Sequence, residues 1–171
     1  GCPVDMIRAR DLYQKAADLG DPRALAWKVR GLSRGGQGFF QNEGEAHKIF
    51  KEIEPRLREM GKNKEEDAWA SLCRTLATIE PITRGSEAFE LAQKNGIDGN
   101  SSDWNTLGWL FGYGIGVKKD EKQAFAWYQK AAQTGNSWGQ RNLGNCYLHG
   151  LGVEQNGSLA LSWYRPSASQ G

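Results

Sequence analysis

From Trp104 to the C-terminus the chain repeats itself at a fixed interval. Leu107-Gly108 returns as Leu143-Gly144, Gly114-Ile115-Gly116-Val117 as Gly150-Leu151-Gly152-Val153, Ala124 as Ala160, and Trp127-Tyr128 as Trp163-Tyr164, each 36 residues later. A period of this length, carrying helix-packing residues and a glycine punctuation, marks a stack of helical repeats that share a continuous core between neighbours. Such a chain presents a surface before it presents an active site. Length then counts repeats, not domains: the 171 residues read as one solenoid, with regular repeats over about 5–60 and 103–171 and a degenerate helical pair over about 62–97.

The breaks support nine helices. Asp5 caps a helix over Met6 to Leu19 that Gly20 ends, and Asp21-Pro22 restarts one that runs to about Ser33. Gly35-Gly36-Gln37-Gly38 separates it from a helix over Gly44 to Met60, which Pro55 is expected to kink or shorten. Lys64 to Thr78 and Ser86 to Lys94 follow, the pair without a Gly-x-Gly-Val turn. Asp103 to Tyr113, Asp120 to Gln133, Ser137 to His149 and Asn156 to about Ser167 complete the set, with Pro166 expected to disturb the last. In the regular units Leu107, Gly108 and Phe111 fall at i, i+1 and i+4, as do Leu143, Gly144 and Tyr147. The glycine lets the partner helix approach, and Ala124, Tyr128, Ala131 and Ala132 supply the facing surface.

Composition excludes several function classes. The 22 Lys and Arg against 20 Asp and Glu leave a charge of +2, interspersed in sign, so the one-sided basic stripe that nucleic acid requires is missing. No apolar run reaches the roughly 18 to 20 residues of a membrane span. Cys2, Cys73 and Cys146 show no CxxC spacing, and His47 and His149 have no second histidine at i+3 or i+4, which leaves no metal-ligand pattern and no cofactor to expect. There is no Gly-x-Ser-x-Gly elbow, Walker loop or Ser-x-x-Lys. The glycines of Gly112-Tyr113-Gly114-Ile115-Gly116 follow a helix, where a dinucleotide loop would follow a strand, so turn geometry accounts for them. Asn100 and Asn156 open glycosylation sequons that matter only in a eukaryotic secretory pathway.

Leu-Gly-x-x-aromatic, then Gly-x-Gly-Val, Asp, Ala-x-x-Trp-Tyr-x-Lys-Ala-Ala and Gly together resemble the Sel1-like repeat, a relative of the tetratricopeptide repeat with a longer period. The likeness extends to the N-terminal part, where Asp11 to Gly20 aligns with Ala126 to Gly135 at an offset of 115. The resemblance implies an all-α, right-handed αα-solenoid whose first helices line a concave face. It also implies a non-enzymatic adaptor or scaffold with a protein or peptide partner, in bacterial envelope, secretion or host-interaction processes, periplasmic or secreted. Other readings stand beside it: a binder of glycan or peptidoglycan fragments, a toxin-neutralising immunity protein, and a β-lactamase-like hydrolase, a label some cysteine-rich members carry although their paired cysteines are absent here. Gly1-Cys2 reads either as a lipoprotein cleavage remnant or, aligned with Gly116-Val117, as a repeat junction.

By similarity to tetratricopeptide domains, Asn105, Trp109 and Tyr113, with Arg141, Asn145 and His149 one repeat later, form the stripe that faces the groove. Its residues change between units while the packing positions beside it keep their character. Trp104, Trp109 and Trp138 sit where the repeat does not demand an aromatic, the counterparts being Gln140, Asn145 and Ser102. They are candidate anchors for a partner, or padding between repeats.

Overall fold

A computed structural model of the chain describes residues 3–35, 39–65, 67–96 and 100–169, with the side chains of 3–9 left aside. Among the described residues there are nine α-helices and no strand. They fall into two compact units, residues 1–84 and 85–171. Gly1, Cys2 and Gly36 to Gly38, about which the sequence raised questions, lie outside the described residues.

The first unit holds α1 (Pro3–Asp18), α2 (Pro22–Arg34), α3 (Glu43–Lys62) and α4 (Ala68–Ile79). Asp21 caps α2, its carboxylate accepting from the backbone N–H groups of Arg23 and Ala24 at 2.9 Å each, with Pro22 in the first turn. Each helix packs on the next, and α2 also packs on α4. Contact between alternate helices is what stacking produces. The core comprises Ala26 and Val29 of α2, Phe50, Ile53 and Leu57 of α3, and Leu72, Cys73 and Leu76 of α4, all buried.

Two expectations need correction here. α3 runs unshortened through Pro55 to Lys62. Proline removes the bond to the carbonyl four residues back, here that of Lys51, an exposed residue on the solvent side, while Ile53 and Leu57 hold the helix to the core. Nor does α4 begin near Lys64: Lys64 and Asp67 adopt φ of 58° and 60°, a left-handed turn incompatible with helix, so it starts at Ala68.

The second unit holds α5 (Gly85–Gly96), α6 (Ser101–Tyr113), α7 (Glu121–Gln133), α8 (Ser137–His149) and α9 (Gly157–Ser169). Consecutive helices pack together, and α6 touches α8. Ala124, Tyr128, Ala132, Leu143 and Cys146 form a core, with Trp109, Phe111, Phe125, Tyr147, Val153 and Trp163 against it. A Cβ on Gly108 would stand 2.6 Å from the Tyr128 ring, and one on Gly144 2.6 Å from the Tyr164 ring. The repeated glycine is a seat for the repeated tyrosine. α9, like α3, passes its proline: Pro166 frees the carbonyl of exposed Ser162, and Ser167 Oγ donates to Ser137 O at 2.9 Å, tying the last turn to α8.

Residues 62–97, read from sequence as a pair outside the regular pattern, separate in their packing: α4 lies on α2 and α3, and α5 on α6. α5 keeps the 36-residue register. Phe89 meets Phe111 edge-on with ring centroids 5.2 Å apart, as Phe125 meets Tyr147 at 5.5 Å. Both Gly-x-Gly-Val turns close on the start of the preceding second helix, Gly116 (φ 70°) on Gly85 and Gly152 (φ 72°) on Glu121, leaving no space for a Cβ.

Candidate functional site

The site is built on α6 and α8. Asn100 caps α6 by accepting from Ser102 and Asp103 N–H, and Asn136 caps α8 by accepting from Gly139 N–H at 2.8 Å. Both helices end in a left-handed glycine, Gly114 and Gly150, with φ of 69° and 70°. Side chains at equivalent positions on the two helices are therefore held one repeat apart by identical ends.

One turn before its end, α6 carries Trp109 and then Tyr113, their rings 5.8 Å apart and tilted by 48°. Tyr113 is largely exposed. Beside them lies a recess of about 400 Å³, lined by Trp109, Tyr113, Tyr128, Asn142, Asn145, Cys146 and Leu151, with the Lys119–Glu121 ion pair (2.7 Å) among its walls. Two amides in it are half committed. Asn142 Nδ2 donates to Asn105 Oδ1 at 2.8 Å, and Asn145 Oδ1 accepts from Tyr164 Oη at 2.6 Å. The scaffold thus fixes which end of each amide stays available: an acceptor, Oδ1 of Asn142, and a donor, Nδ2 of Asn145. Three apolar rings beside one donor and one acceptor are what a short polar chain needs in order to be held without charge.

The titratable groups of the recess are set against reactivity. Burial, with the neighbouring Glu121 carboxylate, pushes the Cys146 thiol up to about 11, and burial likewise raises the Tyr128 phenol. At neutral pH both keep their protons, and a thiol is a poor nucleophile. No group of three His, Cys, Asp or Glu side chains that could hold a metal occurs among the described residues. A broader depression of about 1040 Å³ over the two Gly-x-Gly-Val turns is walled by Lys118, Lys119, Lys122, Glu121 and Glu154. It is open, mixed in sign and without an aromatic anchor other than Phe111, so it offers little to grip.

Of the residues singled out from sequence, Trp109, Tyr113 and Asn145 come together at the recess. Asn105 is buried beneath it as the acceptor for Asn142. Trp138 is just over half exposed near the start of α8, with the Arg141 guanidinium 5.6 Å above its ring, and His149 is exposed in the last turn. Trp104 is pinned elsewhere: its indole N–H donates to Gly96 O at 2.9 Å, and the Lys130 ammonium sits 4.1 Å from its ring and 5.3 Å from that of Trp127. Sequence reasoning missed Asn142 and Leu151. Asn142 stands where Thr106 stands one repeat earlier, a polar position within a packing run, and that was the available signal.

Comparison with known proteins agrees with this architecture. The Sel1 repeat family matches residues 1–21, 107–136 and 139–171. No curated protein matches the chain. Among solved structures, the chain is similar to a Sel1 repeat protein from Oxalobacter formigenes, at 27% identity and a TM-score of 0.59, over 68% of this chain and 90% of that one. It is also similar to c5321, a protective antigen of uropathogenic Escherichia coli strains displaying an SLR fold, at 27% identity and a TM-score of 0.59. That match covers 95% of this chain and 33% of the antigen, so the chain spans a third of its length. The repeated glycine seats, the Gly-x-Gly-Val turns in 36-residue register and these matches have one explanation: the chain carries Sel1 repeats.

Proposed function

We propose that the chain is a non-enzymatic protein-binding module that holds a peptide segment of its partner against α6 and α8 at the Trp109 recess. Sel1-repeat proteins generally mediate protein–protein interaction. The observation that carries the assignment to this place is the amide pair: Asn142 and Asn145 each give one end to the scaffold and keep the other for a ligand. A peptide main chain offers a donor and an acceptor at every residue, and the Trp109 and Tyr113 rings supply apolar contact at low entropic cost. Arg141 and Trp138 extend the same helix face toward its start.

The test has two stages. Affinity capture with mass spectrometry identifies a partner, and calorimetry then measures its binding to wild type and to Trp109→Ala. Loss of an anchoring tryptophan costs about 2 kcal/mol or more, roughly thirtyfold in Kd. Equal affinity with unchanged helical content would remove the recess from consideration. A glycan ligand would use the same rings and amides, and a glycan array on the same two proteins separates that reading. Reproducible turnover of nitrocefin that tracks the purified protein would overturn the non-enzymatic assignment.

A further inference from the structure

The first unit carries a different chemistry at the equivalent place. α2 and α8 have the same length and the same kind of capped start, Asp21 and Asn136. Extending the 115-residue alignment along them sets Arg30 at the position of Asn145 and Arg34 at that of His149. Arg30 Nη1 donates to Thr75 Oγ1 at 2.9 Å and lies 3.5 Å from Ser71 O, both on α4. One turn on, Arg34 Nη2 donates to Thr78 Oγ1 at 3.3 Å. The two threonine hydroxyls give their own protons to Ser71 O and Arg74 O, so they act toward the arginines as acceptors only.

No carboxylate reaches Arg30 among the described residues. The charged groups that act on it are Arg74 of α4 and Arg34 of α2, both of like sign, and the opposing influence comes from Tyr13 of α1. Crowding by protein and this repulsion lower its pKa to about 9, although its side chain still reaches water. Arg30 is only partly buried, and a partly buried cation with no counter-ion among the described residues is electrostatically unsatisfied. Its planar fork has five donors, and the hydroxyl and carbonyl of α4 do not exhaust them.

We infer that Arg30, held in place by Thr75 Oγ1 and Ser71 O of α4, forms a carboxylate-binding site in the first unit, and that its occupant is an acidic side chain on a peptide segment of a protein partner. Charge complementarity selects that occupant: a carboxylate matches the guanidinium fork in two parallel hydrogen bonds and relieves the repulsion between arginines. The inference shares with the proposed function only the premise that this helix face meets a partner, and it does not depend on the Trp109 recess.

The experiment uses the full chain and an N-acetylated, C-amidated hexaglutamate peptide, with hexaglutamine as the neutral counterpart, by calorimetry at constant ionic strength. The Arg30→Gln variant is expected to weaken hexaglutamate binding tenfold or more. Arg10→Gln, at an exposed arginine paired with Asp11, is expected to leave it unchanged. In wild type the peptide shifts the Arg30 Nε–Hε resonance and the Thr75 amide. If Arg30→Gln does not fold, Arg30→Lys serves instead, keeping the charge but losing the fork, with a several-fold loss expected. The inference is overturned if hexaglutamate does not bind at millimolar concentration, if hexaglutamine binds as well, if Arg10→Gln weakens binding as much as the Arg30 variant, or if the folded Arg30 variant binds as wild type does.

Discussion

At Glu54 two arginines converge. Arg84 donates through both terminal nitrogens, at 2.7 and 2.9 Å, and Arg58, one turn along α3, donates through Nε and Nη2 at 3.0 and 2.6 Å. The Arg84 hydrogen bonds, working against burial and helped by those of Arg58, hold the Glu54 carboxyl at about 2, well below the usual range near 4.5. A folded-state pKa below the unfolded one stabilises fully above the unfolded value and is lost as pH falls through the folded one, here from about 4.5 toward 2. The carboxylate is only 19% exposed, so the contribution reaches about 2 kcal/mol after allowance for screening. Glu54→Gln is therefore expected to lower stability by about 2 kcal/mol at pH 7 and by much less at pH 2 in urea denaturation. An equal loss at both pH values would contradict the ion-pair origin. None of this was legible in the sequence, because Arg84 lies 30 residues away and the loop that returns it has no repeat motif.

Among the elements, the repeated glycines decide how closely helices approach. Gly144→Ala places a methyl group against the Tyr164 ring, whose hydroxyl is in turn committed to Asn145. The ring must move, and a loss of about 1–3 kcal/mol is expected. A thermal melt of this variant measures it, and a melting temperature equal to wild type would show that the ring yields freely. The role of these glycines could be read from Leu107-Gly108 and Leu143-Gly144 because helical spacing and the period both point to them. The start of α4 could not be read. Lys64 and Asp67 have no glycine to announce a left-handed turn, and nothing local in Lys62 to Asp67 forbids a helix. The two prolines misled for the opposite reason. Neither proline ends its helix, because the carbonyls that Pro55 and Pro166 leave without a partner belong to exposed residues and packing on either side holds the turn, a facing set by the tertiary structure.

For the molecule as a whole, the all-helical repeat architecture was legible from one period, whereas the candidate site was legible only in part. Trp109, Tyr113 and Asn145 followed from positions that vary while the scaffold repeats. Asn142 and Arg30 did not, because what distinguishes them is which of their polar atoms another helix has already taken. The two described cysteines give the molecule a further property. Cys73 lies in the first unit and Cys146 in the second, both buried and in no disulfide. A thiol reagent reaches such a sulfur only when the surrounding helices part, so modification is a clock for opening. With Cys2 replaced by serine, Cys73→Ser and Cys146→Ser variants each leave one such clock, and Ellman's reagent is expected to label either roughly a thousandfold more slowly than in the denatured chain. Labelling at the denatured rate would place that sulfur at the surface. Two clocks that keep the same time describe an array that opens all at once, and two that differ describe one that opens a piece at a time.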